Sequence, residues 1–254
     1  MHIVLLSLSF PDLHPLPPPF ISLPYYPSLA LSPPLPFPRM SQKKHNRHYH
    51  LIYFDIKWRA EPIRIMFHYF ETPFIDERIT NDEWLARKSD APFEQLPLLE
   101  MDHGKKVLAD SVAIMRYLAK MLGDGFIGRT KTESAKADMF VYATNDMYIP
   151  IYLYNNAKEG KEKDAMKTRL DTATNRYLRC CEKALKHGEK YIVGEHMTWA
   201  DLLIPYMVYL IEETEEGYLS KKEHPKLIKY CQRIRSIDSI KEYIAKNCPC
   251  KALE

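Results

Sequence analysis

The chain has 254 residues, enough for two modest domains or one large one. Its 36 Lys and Arg against 33 Asp and Glu leave a net charge of +3, spread along the sequence, which excludes nucleic-acid binding by massed basic charge. A hydrophobic fraction of 46%, with 12% aromatic residues, excludes disorder throughout.

Residues 1–40 stand apart. They hold 11 of the 19 prolines, no glycine and no lysine, and their only charges are Asp12 and Arg39. Proline lacks the backbone donor and fixes φ, so neither helix nor sheet can propagate there. The apolar run Ile3 to Phe10 has no basic residue before it and ends at Pro11, which does not make a secretory signal. Pro15-x-x-Pro18 would suit a proline-binding partner domain. The composition favours an unstructured appendage over residues 1–46, of which residues 1–39 are expected to add nothing to folding. Met40, ahead of the polar Ser41-Gln42-Lys43-Lys44, would suit a genuine start. His45, His48 and His50 have no partner ligands at a metal spacing, so no metal is expected and a solvated arm is.

From Tyr49 the pattern becomes regular. Tyr49 to Phe54 is β-branched and aromatic and reads as a strand. Ile63, Met66, Phe67 and Phe70 follow at helical spacing, with Pro62 allowed in the first turn. Thr72-Pro73 ends that helix, and Phe74 to Ile79 gives a second strand. A short polar helix follows around Glu83–Lys88. Leu98 to Met101 and Val107 to Ala109 form a hairpin around Asp102-His103-Gly104. Asp110-Ser111 offers an N-cap to the stripe Val112, Met115, Leu118, Ala119 and Leu122. The order β-α-β-α-β-β-α, with a parallel first pair and an antiparallel edge, is a thioredoxin-like layout over residues 47–123. Gly123 to Gly128 reads as a linker. Helices are expected over 132–157, 161–187, 198–213, 225–236 and 238–246, which makes residues 131–246 an all-helical domain. Thr198-Trp199-Ala200-Asp201 has the spacing of a capping box.

No apolar run reaches the ~18 residues of a membrane span, so no membrane partner is expected. Cys180, Cys181, Cys231, Cys248 and Cys250 form no Cys-x-x-Cys pair, and an odd count reads as reduced thiols of a cytoplasmic protein.

Tyr53-Phe54-Asp55 followed by Arg59-Ala60-Glu61-Pro62-Ile63-Arg64 resembles the start of cytosolic glutathione transferases. The likeness is strongest to the sigma class, which includes haematopoietic prostaglandin D synthase. Pro92-Phe93-Glu94-Gln95-Leu96-Pro97 resembles that family's glutathione loop, Ser111 to Leu118 the helix after it, and Thr198 to Asp201 its folding motif. The resemblance covers residues 47–246 in order and in spacing.

It implies an enzyme that activates the thiol of glutathione, its co-substrate, and conjugates it to hydrophobic electrophiles. A thiol of pKa near 8.5 is only a few per cent thiolate at neutral pH, so a fixed donor to the anion raises the reactive fraction. The resemblance gives that role to Tyr53, near the end of the first strand, with Arg59 in support and Arg64 structural. It gives glutathione binding to Tyr53, Trp84, Lys88, Gln95, Leu96, Pro97, Asp110 and Ser111, with Leu96 preceding a cis proline. Position alone leaves Tyr53 an ordinary strand aromatic, Trp84 a core residue and Ser111 a helix cap. Asp146 matches an acidic residue that reaches the neighbouring subunit's glutathione in a homodimer. Ile56, Trp58, Tyr148 and Tyr152 are expected to line the electrophile pocket, the two tyrosines on one helix face.

Three departures from the family pattern stand out, one of them a pair of residues. Asp110 replaces a glutamine and sets negative charge beside the γ-glutamyl carboxylate, which implies weaker glutathione binding. Lys57-Trp58 replaces arginine-glycine, and Trp58 should intrude on the electrophile pocket. Glu94 replaces a glycine. A glutathione-dependent isomerase, such as a prostaglandin D synthase, and a non-catalytic ligand-binding or structural relative remain as alternatives. A thioredoxin-type reductase is disfavoured, since no Cys follows the first strand.

Overall fold

The computed structural model describes residues 48–185 and 190–253. Expectations for residues 1–46, for His45 and for the helix end at 186–187 lie outside these residues.

Strand β1 (Tyr49–Phe54) is central in a sheet with β2 (Ile75–Ile79), β3 (Leu98–Met101) and β4 (Lys106–Ala109). The order is β2-β1-β3-β4. β1 and β2 run parallel, with Tyr53 opposite Arg78, while β1–β3 and β3–β4 are antiparallel. Alternation along β1 sorts its side chains. Tyr49, Leu51 and Tyr53 face the main core with Leu99 and Met101, and Ile52 joins Ile79, Trp84 and Leu98 on the other side. His50 lies half-buried on β1 with its ring nitrogens 2.7 Å from Glu77 and 3.3 Å from Glu100, so it is part of the sheet rather than of a solvated arm. His48 packs against His103.

Helices α1 (Glu61–Tyr69), α2 (Asn81–Arg87) and α3 (Ser111–Leu122) complete the first layer set. α1 carries Pro62 in its first turn and buries two charges, Glu61 and Arg64, which pair at 3.0 Å. Arg64 also grips Asp76 and the Ile56 carbonyl, so its role is structural, as the sequence suggested. α2 opens on a reciprocal capping box, Thr80 with Glu83, and Thr130 with Glu133 does the same for α4 (Lys131–Asn145). Both have the Thr-x-x-Glu spacing by which such a box can be read from sequence.

The single helix expected over 132–157 is two. α4 ends at Asn145, Asp146 and Met147 form a turn, and α5 (Tyr148–Asn156) follows. Pro150 explains the break: it has no N–H, and in an unbroken helix its ring would meet the carbonyl of Asp146, four residues back. α6 (Lys161–Ala184), α7 (Ala200–Thr214), α8 (Pro225–Arg235) and α9 (Asp238–Asn247) complete the α-helices among the described residues. Every residue of α7 from Ala200 to Glu212 is buried, the mark of a helix packed on all sides.

The capping box expected at Thr198 is one-sided. The Asp201 carboxylate accepts from the Thr198 N–H at 2.7 Å and hydroxyl at 2.9 Å, but the Thr198 hydroxyl returns no cap. The other Asp201 oxygen takes the Ile192 N–H at 2.9 Å and the Tyr230 hydroxyl at 2.8 Å. This buried carboxylate therefore joins three segments.

The five cysteines are free. Among the described residues, no helix is long and apolar enough to cross a membrane, and no group of His, Cys, Asp and Glu side chains could hold a metal ion.

Candidate active site

The loop from Asp55 to Ala60 leaves β1 and enters α1, and the helical layer fixes it from behind. Tyr206 on α7 donates its hydroxyl to the Trp58 carbonyl at 2.8 Å. Lys57 donates to the Tyr209 hydroxyl and, at 2.9 Å, to Glu213. Sequence reading did not single out Tyr206 or Tyr209. Their one signal is a pair of hydroxyls in an otherwise apolar helix, where each buried hydroxyl must find a partner.

Tyr53 sits one residue before the end of β1 and is 4% exposed. Burial raises its hydroxyl above the usual phenol range, opposed by a hydrogen bond from the Arg59 backbone and by the charges of Arg59 and Arg64. The balance keeps the group protonated at neutral pH, so it is available as a donor. Arg59 folds back over the same place: its guanidinium lies 4.6 Å from the centre of the Tyr148 ring, and Nη1 donates to Asn145 Oδ1 at 2.9 Å. Trp58 meets Tyr148 edge-on at 5.2 Å between ring centres. Tyr53, Trp58, Arg59 and Tyr148 thus converge, and Asn145 joins them without having been anticipated.

The Leu96–Pro97 peptide is cis, as the resemblance implied. Ser111 is buried as the first residue of α3, which makes it the residue after the cap rather than the cap itself. Asp110 is the cap. Its Oδ1 accepts from the amides of Val112 at 3.0 Å and Ala113 at 2.9 Å, with its own φ at 75°. Around this edge Gln95 is exposed, Lys88 lies 3.9 Å from Glu94, and Trp84 is only 7% exposed within the second core cluster. The ring of Trp84 is therefore chiefly core, with little surface left for a ligand.

The remaining expected residues are spread out. Ile56 is 50% exposed on the loop. Tyr152 is 56% exposed whereas Tyr148 is buried, so the two tyrosines do not share surroundings. Asp146 is exposed at the turn between α4 and α5 and borders a groove with Met147, Pro150, Arg169 and Arg176.

The two departures that replace glycine share a backbone property. Trp58 has φ of 35° and Glu94 of 50°, in the left-handed region where a Cβ is unfavourable. A glycine at either place would adopt this conformation freely, which accounts for the family pattern there.

Two family models match the chain: the glutathione S-transferase N-terminal domain over residues 49–120 and the glutathione S-transferase C-terminal domain over 145–247. Glutathione S-transferase 1 of Ascaris suum is 36% identical over 203 residues, covering 78% of this chain and 96% of that protein. The chain belongs to the glutathione S-transferase family. The crystal structure of the glutathione S-transferase from Ascaris lumbricoides superposes with a TM-score of 0.70 at 34% identity, covering 81% of this chain and 99% of that one. The structure of prostaglandin synthase D of Nilaparvata lugens gives 0.68 at 25%, covering 79% and 98%. Membership establishes the reaction as conjugation, with glutathione as co-substrate, on a thioredoxin-like domain followed by helices.

Within that activity, Trp58 should restrict the electrophile. Trp58→Gly is expected to raise kcat/KM for a bulky electrophile about tenfold relative to a small one. The left-handed backbone relaxes with glycine by ~1 kcal/mol, which offsets much of the lost aromatic packing. Paired kinetics with a small and a bulky aryl halide measure this, and an unchanged ratio would remove Trp58 from the pocket wall.

Proposed function

We propose that this glutathione S-transferase ionises its co-substrate through Tyr53, whose neutral hydroxyl donates to the glutathione sulfur while Arg59 supports the anion. The observation that carries the reading is the meeting of a buried, protonated Tyr53 with a guanidinium held over the Tyr148 ring. Both groups favour the charged form of a thiol placed between them and lower its pKa. Lys88, Gln95, the Leu96 backbone before Pro97, Asp110 and Ser111 hold the tripeptide, with Ser111 at the α3 N-terminus receiving the γ-glutamyl carboxylate, and Trp84 backs them from the core. Ile56, Trp58 and Tyr148 meet the electrophile, and the exposed Tyr152 is left to the dimer face. The test is retention on immobilised glutathione together with turnover of a generic aryl halide, wild type against Tyr53→Phe. Retention without turnover, or turnover independent of Tyr53, would defeat the mechanism.

The capping role of Asp110 refines its expected effect. Asp110→Gln removes a negative charge beside the γ-glutamyl carboxylate, so KM for glutathione should fall about threefold. Glutamine is a poor cap, so the same change should cost ~1 kcal/mol in unfolding free energy. A KM that does not fall contradicts the charge argument, and thermal melting reads the cap.

We further assign the chain to the sigma class, to the cytoplasm and to a homodimer in which Asp146 reaches the partner's glutathione amine. Residues 47–123 and 131–246 are the two domains, with 1–46 appended. The dimer reading is supported by the exposed Met139, Tyr142, Ile149 and Tyr152 on α4 and α5, an apolar set that a second copy would cover. Light scattering after size exclusion decides it. A second reading, a glutathione-dependent isomerase, rests on the likeness to the prostaglandin synthase D structure. Conversion of a prostaglandin endoperoxide without net glutathione consumption would favour it.

A further inference from the structure

The arginines around this site are mostly neutralised by carboxylates. Arg64 pairs with Glu61 and Asp76, Arg78 with Asp55 and Asp76, and Arg87 with Glu77. Arg59 differs. Its side-chain partners among the described residues are the Asn145 amide and the face of the Tyr148 ring, both uncharged. Each holds the guanidinium in place without cancelling its charge. The ionisable groups that sense Arg59 are Tyr53 and Tyr148, which burial keeps neutral; Glu61 is already engaged by Arg64 and by the Tyr243 hydroxyl, and Asp146, next to Asn145, is exposed at the turn.

The placement of Asn145 follows from the sequence. It is the last residue of α4, and Pro150 stops the helix there, so Asn145 and Tyr148 approach Arg59 from two sides of one turn. An arginine side chain free to rotate loses about 2 kcal/mol of rotamer entropy when it is fixed. Settling that in the resting enzyme leaves less to reorganise when the sulfur ionises.

We infer that Asn145 is a positioning residue, fixing the Arg59 guanidinium over Tyr148 as an unpaired cation whose charge is left to the glutathione thiolate. The inference rests on the proposed role of Arg59. It predicts that the acceptor must be neutral: a carboxylate at 145 would hold the guanidinium as well and spend its charge.

The test is the pH profile of kcat/KM for glutathione, together with the ultraviolet thiolate absorbance of bound glutathione, in Asn145→Ala, Asn145→Asp, Arg59→Ala and the double variant Asn145→Ala/Arg59→Ala. Asn145→Ala should raise the midpoint by about 0.5 pH unit, and Asn145→Asp by about 1 with the thermal melt preserved. In the Arg59→Ala background Asn145→Ala should add no further shift. A merely structural asparagine would lower the melt and leave the midpoint where it was. An Asn145→Asp midpoint at or below wild type overturns the inference, as does an additive shift in the double variant. If Arg59→Ala itself moves neither readout, the proposed role of Arg59 fails first, and a shift in Arg59→Ala alone leaves that role standing without Asn145.

Discussion

Tyr53→Phe removes one oxygen atom and is expected to lower kcat/KM for glutathione conjugation about 10²-fold at neutral pH. A donor to the thiolate that lowers its pKa by two units is worth about 2.7 kcal/mol, and phenylalanine keeps the ring but not the donor. The loss should shrink as pH rises through the thiol's own range, because free thiolate then forms without help. KM for glutathione should stay within about twofold, since the tripeptide is held at other places along the sheet edge. Initial rates with an aryl halide over a pH series give both numbers. A pH-independent deficit would point to a positional effect of the hydroxyl, and no deficit would move the mechanism elsewhere.

Asp201→Ala should be the most destabilising single change in the helical layer. The carboxylate accepts four hydrogen bonds, from the amides of Ile192 and Thr198 and the hydroxyls of Thr198 and Tyr230, and all are enclosed. Truncation leaves four donors without an acceptor, at ~1 kcal/mol or more each, so a loss of about 4 kcal/mol is expected. Asp201→Asn keeps the shape and one acceptor and should cost about half as much. Urea unfolding measures both, and a cost below ~1 kcal/mol for alanine would show that the network is dispensable. Burial raises the Asp201 pKa in spite of these bonds. The native state then holds the proton more tightly than the unfolded chain, so this group's contribution rises as pH falls through the carboxylate range. Acid unfolding should begin at other carboxylates.

The strands and most helices were legible because period and breakers agree in this sequence. The alternation of Tyr49 to Phe54, the Thr72-Pro73 stop and the Asp102-His103-Gly104 turn each specify one conformation. The break before Tyr148 was not read, although Pro150 announces it. The effect of proline falls four residues upstream, on the Asp146 carbonyl rather than on itself. At the site, Tyr53, Arg59 and Pro97 could be named because they lie in short motifs. Asn145, Tyr206 and Tyr209 lie 86, 148 and 152 residues from the loop residues they hold, and no local pattern encodes such pairings. Trp84 shows the opposite difficulty: motif and core position coincide, and the core holds most of the ring.

Beyond Ile56, the side chains and carbonyl of the loop between β1 and α1 are tied down by residues made much later. Lys57 waits for Tyr209, and Glu61 for Tyr243, 182 residues downstream. During synthesis the sheet can therefore pair and bury Leu51 while the reactive corner still lacks its supports. Full support of that corner is then expected only once α9 has left the ribosome and docked on α1. A chain cut short before α9 would keep Tyr53 in its strand and lose the anchor of the neighbouring helix, which ties loss of activity to even late truncations.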